Sequence, residues 1–128
     1  MVLLSDDEKA FWVTSWPFAE YVKHAWPGAW VCSAFRNERG IEGEASELIR
    51  EAVAATRAFF GEPPALGMIT FVDPRKVKPA IRHGKKFWGY SYWKAGFRYV
   101  GQTKGHLWAF QMLPNEMPLA MQPGAFRG

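Results

Sequence analysis

Apolar positions along this chain change spacing from block to block. Near the start, Ser5-Asp6-Asp7-Glu8 has the form of a capping box with further acids for a first helical turn. Phe11, Trp12 and Trp16 follow at helical spacing. Pro17 suits the first turn of a second short helix reaching Ala25, with Phe18, Tyr21 and Val22 apolar and Pro27-Gly28 as its breaker. The pattern predicts a helical N-terminal region over 1–28. From Ala29 to Phe35 the chain is apolar on both faces, as in a strand central to a sheet. A polar loop containing Gly40 and Gly43 leads to Ser46, a cap for the next element. Leu48, Ile49, Ala52, Val53, Thr56, Phe59 and Phe60 then mark one face of a helix lasting to Gly61, with Glu47, Arg50, Glu51 and Arg57 on the outer face.

Leu66 to Val72 reads as a second buried strand, after which Pro74 and Pro79 keep the chain irregular. A short helix is expected from about Phe87 to Ala95, with Gly96 as the residue just past its end. Arg98 to Thr103 and His106 to Met112 form two strands about a turn at Thr103-Lys104-Gly105. Proline-rich residues 113–128 read as an extended surface tail. The order implies a single α/β domain with about four helices and a mixed sheet. A parallel right-handed crossover joins the two buried strands, and a C-terminal hairpin adds antiparallel pairing.

Size and composition narrow the chemistry. The 128 residues allow one core, and 48% hydrophobic content is globular. No apolar run approaches a membrane span, and the N-terminus lacks a signal-peptide layout, so a cytoplasmic location is expected. Cys32 is the only cysteine, which rules out an intrachain disulfide and a thiolate metal cluster. His24, His83 and His106 are widely spaced, and no metal site is expected.

The net charge of +4 is unevenly placed. Arg75, Lys76, Lys78, Arg82, Lys85 and Lys86 face only Asp73 between residues 73 and 86. That segment is either a solvated surface or a contact for phosphates, of a cofactor or of nucleic acid. A second phosphate candidate is the strand–loop–helix passage through Gly40, Gly43 and Ser46, where free backbone N–H groups and the helix dipole suit a pyrophosphate. Arg36 and Arg39 there offset Glu38, Glu42 and Glu44.

Cys32 to Val53, Leu66 to Val72 and Tyr92-Trp93-Lys94-Ala95-Gly96-Phe97 together resemble the GNAT superfamily of acyl-CoA N-acyltransferases over about residues 29–112. Phe35-Arg36-Asn37-Glu38 and Gly67 to Asp73 are similar to small GNAT-like proteins common in phages and prophages. The N-terminal region is shorter than that family's, and Asp73-Pro74 stands where the family usually has Asn. The resemblance implies two splayed central strands admitting the pantetheine arm of acetyl-CoA, and direct acyl transfer to an amine. Tyr92 then serves as general acid towards the departing thiolate, with Tyr90 in reserve, and backbone N–H groups near Ala34 to Arg36 polarise the thioester carbonyl. The implied cofactor contacts are Ala34, Phe35, Arg36, Arg39, Gly40, Gly43, Ser46 and Lys94. Glu38 and Asp73 are the candidate bases, each with a bland alternative as a surface or capping residue, as is His106. Arg75, Lys76, Arg82, Lys85 and Lys86 are candidate nucleic-acid contacts, with an amino-modified DNA base as one acceptor. The protein is expected as a monomer or homodimer. The alternative function is a non-catalytic module binding a host protein or nucleic acid.

Overall fold

The computed structural model describes residues 1–39, 44–124 and 126–127. The N-terminal region is not helical. Strand β1 (Val2–Ser5) and strand β2 (Ala10–Ser15) form an antiparallel hairpin, with Val2 opposite Val13 and Leu4 opposite Phe11. Burial alternates with a period of two, inward at Ala10, Trp12 and Thr14, and that alternation outweighs the helical spacing of Phe11, Trp12 and Trp16. The capping residues serve the turn instead. Ser5 Oγ donates to Asp7 Oδ1 at 2.6 Å and accepts from the Ala10 N–H at 3.0 Å, while Asp7 Oδ1 also accepts from the Lys9 N–H at 3.1 Å. The second helix expected from Pro17 is reduced to a 3-10 turn at Ala19–Tyr21. Phe18 and Tyr21 stay 75% and 76% exposed, so no apolar face is buried to hold a longer helix.

Strand β3 (Trp30–Asn37), helix α1 (Glu44–Phe60) and strand β4 (Met68–Val72) form the parallel crossover. Helix α1 begins two residues before Ser46, so Ser46 lies inside the helix and buried rather than capping it. The segment after Pro79 is a small hairpin, β5 (Ala80–Arg82) with β6 (Lys85–Phe87), where continuous irregularity was expected. Helix α2 (Tyr90–Ala95) starts three residues later than the pattern indicates, because Gly89 at φ 71° turns the chain into it. Strands β7 (Arg98–Gln102) and β8 (Trp108–Met112) form the expected hairpin, and β9 (Phe126–Arg127) pairs with β1. The mixed sheet runs β7-β8-β4-β3-β2-β1-β9. Two α-helices are present among the described residues, not four. The tail is tied down in places, with Met117 buried and the Met121 N–H donating to the Ala54 carbonyl.

The main core lies between the helices and one sheet face, built from Trp12, Trp30, Leu48, Ile49, Val53, Met68, Phe97, Phe110 and Met112. Ile69, Ala109 and Ala29 face the opposite side, under Trp26 and Phe71. Gly67 is required where β4 begins. A Cβ there would lie 2.0 Å from the Met112 carbonyl oxygen, and its φ is 66°. Among the described residues no helix is long and apolar enough to cross a membrane.

Candidate active site

Strands β3 and β4 pair for only three residues, Trp30 with Met68, Val31 with Ile69 and Cys32 with Thr70. Each then follows its other neighbour, β3 continuing against β2 to Asn37 and β4 against β8 to Val72. The parting is marked chemically, because Thr70 Oγ1 donates to the Cys32 carbonyl at 3.0 Å where the ladder ends. A bulge in β3 accompanies it. Val13 faces Ala34 and Thr14 faces Cys32, leaving Ser33 as an extra residue.

The bulge changes which backbone groups face the gap. Upstream, the Trp30 N–H donates to Gly67 and the Cys32 carbonyl accepts from Thr70, so these residues present their polar groups to β4. Downstream, the Glu38 N–H donates to Lys9, so Glu38 and, two residues back, Arg36 face β2. The two-residue alternation then turns the Phe35 and Asn37 N–H groups into the gap, where β4 no longer pairs with them. Of Ala34, Phe35 and Arg36, only Phe35 turns its N–H into the gap.

The gap opens as a cleft of about 350 Å³ lined by Ser33, Ala34 and Phe35 on one side and Thr70 to Asp73 on the other. Tyr90, Ser91 and Tyr92 at the start of α2 close its base. The Tyr92 hydroxyl lies 3.9 Å from Cys32 Sγ and within hydrogen-bonding reach of Thr70, at the level where the strands separate. Its ring is wedged against Phe35, Phe97 and Phe110, with centroids 6.3, 5.5 and 6.4 Å away.

The hexapeptide from Tyr92 to Phe97 achieves this through its helix stop. The Phe97 N–H donates to the Tyr92 carbonyl and the Gly96 N–H to the Trp93 carbonyl, with Gly96 at φ 114°. These are the two bonds of a Schellman motif, and the Tyr92–Phe97 ring pair is its accompanying apolar contact. Arg50 adds a clamp. Its Nη1 donates to the Ala95 carbonyl at 2.7 Å, tying the C-terminus of α2 to α1. Arg50 reads in sequence as an outer-face helix residue, and only the packing of α1 on α2 reveals its role.

Electrostatics separate the candidates. Burial, with the neighbouring Cys32 as a lesser cause, pushes the Tyr92 phenol well above its ordinary range, so it remains a proton donor at any physiological pH. Burial likewise pushes the Cys32 thiol up to about 12, which keeps it protonated and a poor nucleophile. Asp73 lines the cleft, but its carboxylate is engaged by Arg75. It accepts from Arg75 Nε at 3.0 Å and from the Arg75 N–H at 2.9 Å, and these bonds hold it below the usual carboxylate range. Glu38 is exposed, pairs with Arg36 at 3.4 Å and does not line the cleft.

The phosphate-binding expectation is met less well. Arg39 reaches Asp7 at 3.5 Å and Glu44 at 3.3 Å, so its charge is shared by two carboxylates. Arg36 extends over Phe11, 5.9 Å from the ring centroid. Lys94 is exposed on the last turn of α2 and is not a cleft residue. Gly40 and Gly43 lie outside the described residues.

Phe71 also borders a second cavity of about 600 Å³, shared with His24, Trp26, Leu107, Lys23 and Lys104. His24 Nδ1 accepts from the Trp26 N–H at 3.0 Å, which places the ring proton on Nε2. That nitrogen is buried with no partner among the described residues, and burial lowers the ring's pKa. Comparison of the chain with family models, curated proteins and solved structures found no match in any of the three.

Proposed function

We propose that the protein is an acyl-CoA-dependent N-acyltransferase, with acetyl-CoA its acyl donor and an amine its acceptor. The observation that carries this reading is the parting of β3 and β4 after the Cys32–Thr70 pair, with the Tyr92 hydroxyl at the apex of the gap. A slot into which the Phe35 and Asn37 N–H groups turn, with no partner on β4, suits the amide-bearing pantetheine arm, which extends like a strand. Ser33, Ala34 and Phe35 line one wall for that arm, and Thr70 and Phe71 the other.

Acetyl-CoA supplies an activated acyl group, whose carbon–sulfur bond breaks as the amine nitrogen bonds to the carbonyl carbon. The Phe35 N–H is the donor for the carbonyl oxygen, where negative charge develops. Tyr92 gives its proton to the departing sulfur and regains one released from the amine through solvent. No side chain is needed as covalent carrier, and the protonated Cys32 is unsuited to that role. Asp73, held ionised by Arg75, is a weak base, so a neutral amine is the form that reacts. The cavity beyond Phe71, on the opposite face of β4 from the main core, is the natural approach for that amine.

Thermal unfolding with added acetyl-CoA tests the reading. Ligand at a hundred times its Kd stabilises by about 2.7 kcal/mol, which for a domain of this size raises Tm by roughly 10 °C. An unchanged Tm at millimolar acetyl-CoA overturns it.

A further inference from the structure

Residues 74–115 contain nine basic side chains and no acidic one. Asp73 at the border is committed to Arg75, and Glu116 just beyond meets Arg98 at 2.6 Å. This stretch makes β5, β6, α2, β7 and β8, so the fold gathers the uncompensated cations beside one end of the sheet. Arg82, Lys85 and Lys86 are exposed on the β5–β6 hairpin, and Lys94 is exposed on α2.

The same surface carries aromatic rings that the core does not take up. Phe87, Tyr90, Trp93 and Tyr99 border a shallow apolar groove of about 160 Å³, whose lining they share with the core-packed Trp88, Trp108 and Phe110. Trp93 is 60% exposed, and Phe87 and Tyr99 are 42% and 50% exposed. The rings are neighbours, with Tyr90 5.8 Å from Trp93 and 6.1 Å from Phe87 between centroids. The Arg82 guanidinium already lies over Tyr90, 4.5 Å from its centroid, which shows that a flat cation is accommodated there. Phe110 belongs to the core and Trp88 and Trp108 pack against it, but the exposure of Phe87, Trp93 and Tyr99 is not explained by packing, since exposing large apolar surface is unfavourable.

Exposed rings next to Arg82, Lys85, Lys86 and Lys94, for which no ion pair is found among the described residues, match one class of partner in both chemistry and charge. We propose that the face formed by the β5–β6 hairpin, α2 and β7 binds single-stranded nucleic acid. Trp93 and Tyr99 offer stacking platforms for bases, and Arg82, Lys85, Lys86 and Lys94 engage the phosphates. Unstacked bases are accessible in a single strand and inaccessible in a duplex, which fixes the preference. The proposal requires no acyl transfer and stands or fails independently of it.

Fluorescence anisotropy with fluorescein-labelled oligothymidylate tests it. Four phosphate contacts give a slope of log K against log salt near −3, or about a sixty-fold loss between about 50 and 200 mM salt. Trp93→Ala weakens binding roughly five- to a hundred-fold at unchanged slope, and Trp93→Phe restores most of the affinity. The charge reversal Lys85→Glu with Lys86→Glu abolishes binding while leaving Tm unchanged, since both residues are exposed. Absence of binding at low salt overturns the proposal. So does equal affinity for a duplex or for poly-glutamate, or a Trp93→Ala variant that binds as wild type, since any of these leaves only unspecific attraction between charges.

Discussion

Replacing Tyr92 by Phe removes one oxygen and leaves the ring, so it separates a chemical role from a packing one. The ring contacts to Phe35, Phe97 and Phe110 persist, and with them the apolar half of the Schellman stop. The hydroxyl itself meets Cys32 Sγ at 3.9 Å and lies within hydrogen-bonding reach of Thr70. Losing a neutral hydrogen bond of this kind costs about 0.5–1.5 kcal/mol, or a Tm decrease of no more than about 5 °C. A general acid is worth about 10²–10⁴ in rate. The assay is release of free coenzyme A thiol in the presence of an amine, with acetyl-CoA affinity measured separately. The expected result is a 10²–10⁴ fall in kcat with acetyl-CoA Kd within about threefold and the fold intact. Because Tyr92 stays protonated far above neutrality, the wild-type rate shows no loss attributable to this residue up to about pH 9. An unchanged kcat, or a collapse of Tm by more than about 10 °C, refutes the reasoning by making Tyr92 a packing residue only.

Other consequences can be checked without knowing the acceptor. Burial pushes the Cys32 thiol up to about 12 from an ordinary 9.0, so its contribution to stability is intact below pH 9 and is lost as pH rises towards 12. Urea unfolding at pH 8 and pH 10.5 reads this loss, and Cys32→Ala flattens it. Arg50→Leu removes a charged hydrogen bond to Ala95 and destabilises by about 1.5–3 kcal/mol; it also lowers acyl transfer through Tyr92 placement, seen as a fall in kcat at little-changed acetyl-CoA affinity. Gly67→Ala forces a Cβ into the Met112 carbonyl and costs more than about 3 kcal/mol, which circular dichroism at rising temperature detects. Ile49→Ala, at a site with no exposure, lowers stability by about 2–5 kcal/mol in the same measurement.

Much of the fold from Ala29 onwards was legible because the signals there are local and agree with one another. Both strands of the crossover are apolar on two faces, the long helix carries its stripe through four turns, and Gly61 and Gly96 stop helices as glycines with positive φ do. The N-terminus misled for a physical reason. Ser5 and Asp7 accept from the Ala10 and Lys9 N–H groups in a β-turn, so residue types that cap helices serve a hairpin here, and Trp12 and Trp16, four apart, fit either period. Tyr92 was legible through the helix stop that holds it. The Ser33 bulge, the Arg50 clamp and the engagement of Asp73 by Arg75 depend on partners far along the chain or on backbone register, and no local pattern announces them. Arg39 shows the converse. A basic residue at a glycine loop suggests a phosphate ligand, yet its neighbours in space are Asp7 and Glu44.

The central claim is that the gap between β3 and β4 receives the thioester arm, and blocking the gap tests it most directly. Ala34 lines the cleft on β3, so Ala34→Trp fills much of the available volume while leaving the Cys32–Thr70 pairing and the core residues in place. Isothermal titration with acetyl-CoA is predicted to give saturable binding to the wild type and none to a folded Ala34→Trp variant. Equal binding to both proteins, or no binding to the wild type at millimolar acetyl-CoA, contradicts it.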